Sequence, residues 1–335
     1  MRYVIFGAGA IGGTIGGRLA EHGHDVVLVA RGAHHDALRD RGLLLRTPSG
    51  PVQVQVPVTD DVATLGLGAG DVVVVGTKSQ DSEAAFDAIA TASSPDVAVV
   101  CAQNGVENER RALRRFAHVH GMAVMLPASH MEPGVVDAHG APASGILDVG
   151  RFPTGVDDVD TTFSADLASS GFLSSADPQV MLRKYGKLLL NLANVLEAAC
   201  GMRDGAVGDI YQRARAEALA CYEAAGIDAP TDDDAERRKG MKMAPIDGVR
   251  RDGGSTWQSL ARSAPTIETD YLNGEIVLLG RTHGVPTPVN EALQRLGRRL
   301  VSDHVAPGTF PLDEVQAVLD ETCSAGPASP IRLSP

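Results

Sequence analysis

The 335 residues contain no Cys-x-x-Cys pair, no long block of lysine and arginine, no apolar run near membrane length and no evident internal repeat. Each absence removes a class of protein. Four scattered cysteines, Cys101, Cys200, Cys221 and Cys323, read as small buried apolar residues of a reducing compartment, not as a disulfide framework or a metal site. A formal net charge of -12 without a basic face argues against nucleic acid as a partner and mainly for solubility. A membrane span needs ~20 consecutive apolar residues, and the longest stretches here fall far short. The first residues are apolar but interrupted by glycines and lack a basic leader, so no signal peptide is read. A soluble, cytoplasmic chain is expected. With 44% hydrophobic and 21% charged residues it can bury large cores, and its length suits about two domains.

The opening residues carry the first positive signal. Tyr3 to Phe6 form a short apolar strand, followed at once by Gly7-Ala8-Gly9-Ala10-Ile11-Gly12, a G-x-G-x-x-G. A helix is expected from about Ile11 to His22, then a second strand from Asp25 to Ala30. In this strand–turn–helix context the motif is a dinucleotide cradle. Gly7 permits the tight turn, Gly9 lets a pyrophosphate approach the backbone, and Gly12 lets helix and strand pack closely. The helix N-terminus offers free N–H groups and a positive dipole end to the phosphates. At the end of the second strand stands Arg31, where NAD sites usually carry Asp or Glu. A guanidinium there suits the 2′-phosphate of NADP(H). His34-His35, just beyond, reads as a solvated loop pair.

Further apolar strands follow in "GDVVVVGTKSQD", "DVAVVCAQNGVENE", "HVHGMAVML" and "GILDVGRF". "GLLLRTPSGPVQVQVPV" alternates around Pro48-Ser49-Gly50 and reads as an antiparallel hairpin. Gly7, Arg31, Lys78 and Asn104 all fall at strand C-terminal ends, where ligands of such sheets bind. Alone, Lys78 reads equally as a solvated loop lysine, and Asn104 before Gly105 as a turn residue.

From about Asp177 leucine, alanine, arginine and glutamate at helical spacing take over. Helices are expected near 178–200, 205–225, 265–283, 288–303 and 312–323, with Pro265 and Pro288 in first turns. Residues 228–254 read as a polar, broken segment with a short helix and a surface loop. The fold class is α/β: an N-terminal Rossmann-type doubly wound parallel sheet followed by an all-helical C-terminal domain. The domains are expected at 1–175 and 176–325, with a tail at 326–335.

"RKYGKLLLNLANVLEAACG" places an amine and two amides within an apolar helix. At ~100° per residue Asn191 lies about 40°, and Asn194 about 20° on the other side, from Lys187. One polar stripe results, facing either water or a functional crevice between the domains.

These residues resemble the ketopantoate reductase (2-dehydropantoate 2-reductase) family over nearly the whole chain, from "GAGAIGG" to "GVPTPVNEAL". The most specific parts are "KLLLN" and "STWQSLARSAPTIETDYLNGEI". The resemblance implies NADPH-dependent reduction of a 2-keto acid to a 2-hydroxy acid. It makes Lys187 the general acid, Glu268 its acidic partner, Asn191 a substrate contact, and Ser255 or Thr256 the holder of the substrate carboxylate. Asn104 and Lys78 would stand on the nicotinamide ribose and substrate side. The family's second helix asparagine falls eight residues after the lysine, at Val195 here, while Asn194 is the amide present. Substrate choice is therefore left open, as are two other readings: a β-hydroxyacid-type dehydrogenase and a non-catalytic NADP-binding sensor. A small-molecule acid is the expected partner. Helical second domains often dimerise, but no homodimer interface is legible.

Overall fold

The computed structural model describes residues 1–201, 205–230, 239–250 and 253–324. The chain divides into two compact units: Met1–Lys184 with Asp232–Arg251, and Tyr185–Thr231 with Asp252–Pro335. The first unit thus runs past residue 175 and takes back a segment of the second half. The tail 326–335 and Arg237-Arg238 lie outside the described residues.

In chain order the first unit builds β1 (Arg2–Phe6), α1 (Ala10–Glu21), β2 (Asp25–Val29), α2 (Gly32–Arg41), β3 (Leu43–Thr47), β4 (Gly50–Val54) and β5 (Val58–Thr59). There follow β6 (Asp71–Val75), α3 (Ser82–Ala92), β7 (Ala98–Cys101), α4 (Asn108–Ala112) and β8 (His118–Met125). Then come β9 (Ala128–Ser129), β10 (Val135–Ala138), β11 (Gly140–Pro142), β12 (Ile146–Arg151) and α5 (Asp158–Ser169). Seven strands pair in the order β12-β8-β7-β6-β1-β2-β5. The pairs from β8 through β5 are parallel, and β12 closes the edge antiparallel to β8.

Side chains of a strand alternate between faces. Tyr3, Ile5, Val72, Val74 and Val100 pack with Ile15 and Leu19 of α1 and Phe163 and Leu167 of α5. Val4, Phe6, Val73, Val75 and Val99 pack with Phe86 and Ile89 of α3. Two covered faces explain why β6 reads as an unbroken apolar run and is buried throughout. The expected hairpin is present as β3 and β4, paired from Leu43–Val54 to Thr47–Gly50, in a separate sheet ordered β4-β3-β10-β9. At α5, Asp157 caps the N-terminus, accepting from Val159 and Asp160 N–H at 2.9 and 3.3 Å. The buried Asp160 also meets His120 Nδ1 at 2.7 Å.

A helix across the unit boundary, α6 (Val180–Asn191), is followed in the second unit by α7 (Asn194–Cys200) and α8 (Ala206–Ala225). Instead of one helix over 178–200 there are two, broken at Leu192-Ala193. Part of the polar segment 228–254 forms β13 (Met241–Met243), which pairs with β11 inside the first unit. The second unit continues with α9 (Ser255–Ala261), which the sequence reading did not include. The expected helix 265–283 is a short 3-10 turn, Glu268–Tyr271, and then α10 (Asn273–His283). Pro265 lies in the preceding loop and starts no helix. The last helices are α11 (Pro288–Ser302), with Pro288 in its first turn, and α12 (Leu312–Ser324). Leu196, Ile210, Leu293, Leu296, Leu300 and Leu319 form the centre of their common core. Cys101 and Cys221 are buried free thiols and Cys200 is a half-buried one. No helix among the described residues is long and apolar enough to cross a membrane.

Candidate active site

The parallel register sets the first unit's site. Phe6 is level with Val29 on one side and with Val75 on the other, and Val75 is level with Cys101. The C-terminal ends of β2, β1, β6 and β7 therefore form one even edge. Just beyond it stand Arg31, Gly7, Lys78 and Asn104, in that order across the sheet. At ~4.8 Å per strand the edge from β2 to β7 spans about 14 Å. The chain leaves β1 for β2 on one side and returns to β6 on the other, the switch point where α/β sheets hold ligands.

Each glycine of the motif meets a distinct constraint. Gly7 has φ +100°, and a Cβ there would lie 2.9 Å from Thr77 N. A Cβ on Gly12 would lie 2.2 Å from Gly7 O and 2.8 Å from Ile5 Cγ2. Gly9, in contrast, has nothing within 4 Å of a Cβ position. Gly9 also caps α1 without any side-chain hydrogen bond, and no acidic residue stands in the first turn. Open space over Gly9 and an uncapped helix start through Ala10 and Ile11 fit a diphosphate. Arg31 is exposed and stands at the N-cap of α2, just before its first residue.

His34 is not a solvated loop residue. It lies in the first turn of α2, half-buried, with Nε2 2.8 Å from Ala8 O and Nδ1 3.0 Å from Gly134 N. Gly134 N–H can only donate, so Nδ1 accepts and Nε2–H donates to Ala8 O. This fixes a neutral tautomer that ties the glycine-rich turn to the β9–β10 loop. The ring of His130 lies 4.2 Å away, and burial pushes the His34 imidazole below its ordinary range. Its neighbour His35 meets Asp36 at 3.2 Å.

Buried and part-buried side chains around the ends of β6 and β7 form a hydrogen-bond network. Gln103 Nε2 donates to Ser82 Oγ at 3.0 Å, and Asn108 Nδ2 to Ser79 Oγ at 3.0 Å. Arg111 Nη1 donates to Ser79 O at 2.8 Å. Lys184 is buried and pairs with buried Glu109. Its ammonium also donates to Gln103 O at 3.0 Å and reaches Cys101 O at 3.5 Å. Burial pushes the Glu109 carboxyl up, with the Lys184 ammonium opposing. The sequence reading missed Lys184, since a lysine one turn before Lys187 reads as part of the helix's polar face. No local pattern announces its burial.

In the second unit Lys187 is half-buried on α6, with Asn191 four residues on. Asn191 Oδ1 is buried without a hydrogen-bond partner among the described residues. Asn194 is not on that helix. It opens α7 beyond the break, so the angle that put it in one stripe with Lys187 does not apply. Asn194 is nevertheless buried, as is Val195. Ser255 and Thr256 begin α9 after Gly254, which serves as its cap, and Thr256 is buried. Glu268 opens the 3-10 turn and is buried too. Two positions on α6, and the residue just after it, are held from within the unit. Tyr222 donates to Tyr185 O at 2.9 Å, Gly186 packs so closely on Pro230 O that a Cβ would lie 2.3 Å from it, and Leu192 O accepts from Asn273.

The family model described as "Ketopantoate reductase PanE/ApbA" matches residues 3–154, and its C-terminal counterpart matches 179–300. A 2-dehydropantoate 2-reductase of Mesorhizobium japonicum is 30% identical, covering 90% of this chain and 98% of its own. One from Pyrococcus horikoshii is 27% identical, covering 88% and 96%. The crystal structure of a PanE/ApbA family ketopantoate reductase from Ralstonia eutropha JMP134 superposes with a TM-score of 0.77. That protein is 30% identical, with 91% of this chain and 99% of that one covered.

Proposed function

The chain belongs to the ketopantoate reductase family and is an oxidoreductase using a nicotinamide cofactor; from that premise we propose that it reduces 2-dehydropantoate to pantoate with NADPH. The observation that carries the cofactor half is the open, uncapped turn at Gly9 with Arg31 along the same sheet edge. Gly7, Ala8, Gly9, Ala10, Ile11 and Gly12 would hold the diphosphate, Arg31 the 2′-phosphate, and Lys78 and Asn104 the nicotinamide ribose. When bound, NADPH supplies the hydride for the keto carbon.

The residues of this chain supply the rest. Reduction of a keto carbon builds negative charge on its oxygen, which a positioned ammonium stabilises and then protonates. Lys187 takes that role in our reading. Glu268 would favour the protonated amine and orient it. Asn191, whose Oδ1 is buried without a partner among the described residues, would bind the substrate; Ser255 or Thr256 would bind its carboxylate. Asn194 is proposed as a further substrate contact in place of the family's asparagine at the Val195 position. We place the reaction in the cytoplasm.

A steady-state assay of NADPH and NADH oxidation over a panel of 2-keto and 3-keto acids tests the reading. We expect turnover with 2-dehydropantoate and preference for NADPH. Turnover only with 3-keto acids, or tight NADPH binding without turnover on any acid, would replace it.

A further inference from the structure

We propose that Asn273 is a positioning residue for α6, its side-chain amide closing that helix at Leu192 and so fixing Asn191 and, one turn earlier, Lys187. The functional part of this inference rests on the reaction proposed above. The break after Asn191 has no local cause. Leu192-Ala193 contains neither glycine nor proline, and helix breaks ordinarily trace to such residues or to a group inserted into the hydrogen-bond ladder. A helix end also leaves carbonyls that need donors.

The donor at Leu192 O is Asn273 Nδ2, at 3.2 Å. The same nitrogen donates to Asn290 Oδ1 at 3.1 Å. Asn290 Nδ2 in turn donates to Ala214 O at 2.9 Å and to Glu217 Oε2 at 2.8 Å. Glu217 also accepts the backbone N–H groups of Val289 and Asn290 at 2.8 and 2.9 Å. Asn273 and Asn290 are 1% and 0% exposed, so water cannot substitute for a lost partner.

These contacts leave no choice of amide orientation. A carbonyl only accepts, and the Glu217 carboxylate already accepts two backbone N–H bonds, so the nitrogen of Asn290 must face Ala214 and Glu217. Its oxygen then faces Asn273, whose nitrogen must face Leu192. The relay runs from α8 through α11 and α10 to the end of α6, and its last bond touches the residue after Asn191. Asn273 stands in the "DYLNGEI" stretch and Asn290 in "GVPTPVNEAL". The positions to which the resemblance pointed thus meet in space at the α6 terminus.

Isosteric exchange separates positioning from mere packing. An aspartate at 273 fills the same volume but, when ionised, faces two acceptors with no hydrogen to give. When protonated it can donate one bond, and burial raises its pKa. We expect Asn273→Ala to lower kcat about ten- to a hundredfold, as for a misplaced reacting group, with NADPH Kd within about twofold of wild type. Asn273→Asp should match that loss at high pH and recover part of the activity as pH falls, relative to wild type. Deuterium exchange over 186–197 tests the positioning without any substrate. It should quicken in Asn273→Ala while peptides of β1 to β8 stay unchanged. Unaltered exchange there would overturn the inference whatever the keto acid. Unaltered kcat in an active enzyme, or a loss of kcat fully matched by loss of NADPH binding and folded fraction, would overturn its functional part. If Asn273→Ala does not fold, Asn273→Asp carries both readouts, and a pH profile parallel to wild type rejects the relay. Absence of turnover in the wild type, by contrast, indicts the proposed reaction and leaves the exchange result to decide the relay.

Discussion

Replacing Lys184 by methionine removes the cation paired with Glu109, a carboxyl with a 0% exposed side chain. Methionine keeps the stem's packing, so the cost is electrostatic. Breaking one side of a buried pair costs ~3–5 kcal/mol, because the remaining charge has neither water nor counterion. Burial already pushes Glu109 up in the wild type, and without the ammonium its own backbone N–H is left to oppose that rise. Its folded pKa should then lie well above the unfolded value. Between those two values the folded state binds more protons than the unfolded one, so stability falls as pH rises. The slope approaches ~1.4 kcal/mol per pH unit while the folded group stays protonated. Urea denaturation at several pH values from 5 to 8 should show Lys184→Met losing stability toward pH 8 relative to wild type. Adding Glu109→Gln should abolish that relative slope and recover about 2 kcal/mol or more at pH 8, since removing both partners of a buried pair costs less than removing one. Additive losses in the double variant, or a Lys184→Met that gains stability toward pH 8, would refute the assignment.

Four other substitutions test separate parts of the account. Gly9→Ala should cost under about 1 kcal/mol, since its Cβ meets open space, yet weaken NADPH binding at least about tenfold in a fluorescence titration. Gly12→Ala, whose Cβ would strike Gly7 O, should destabilise by ~1–3 kcal/mol or more in urea denaturation; the opposite ranking would remove the diphosphate from Gly9. His34 has a depressed folded pKa, so its contribution is present above the unfolded value of ~6.5 and is lost as pH falls through the folded one. Thermal melts of His34→Gln should therefore fall less steeply than wild type below pH ~6.5. Arg31→Ala should raise KM for NADPH far more than KM for NADH, and equal effects would reject the 2′-phosphate role.

The dinucleotide turn was legible because its signals are local: a strand, three spaced glycines and a helix within the first two dozen residues. The apolar runs of β6 and β7 were legible because a strand covered on both faces needs no alternation. What stayed hidden was non-local. The departure of β3 and β4 into a second sheet, and the return of Met241–Met243 to β11, depend on partners far along the chain. His34 looked like half of a polar dipeptide until Ala8 and Gly134 met its two nitrogens. The α6 terminus is the clearest case. A leucine-rich stretch without a breaker reads as one helix, and the donor at Leu192 O, Asn273, lies far downstream. Angular placement of Asn191 survives because it lies before that point; that of Asn194 does not.

The role of Lys187 bears most directly on the proposed reaction. Turnover of 2-dehydropantoate with NADPH should be measured for wild type and Lys187→Ala beside NADPH Kd for both. We predict a kcat loss of about a hundredfold or more with Kd nearly unchanged, since a general acid contributes ~10²–10⁴-fold to the chemical step and need not hold the dinucleotide. A Lys187→Ala enzyme that turns over at the wild-type rate would contradict the account.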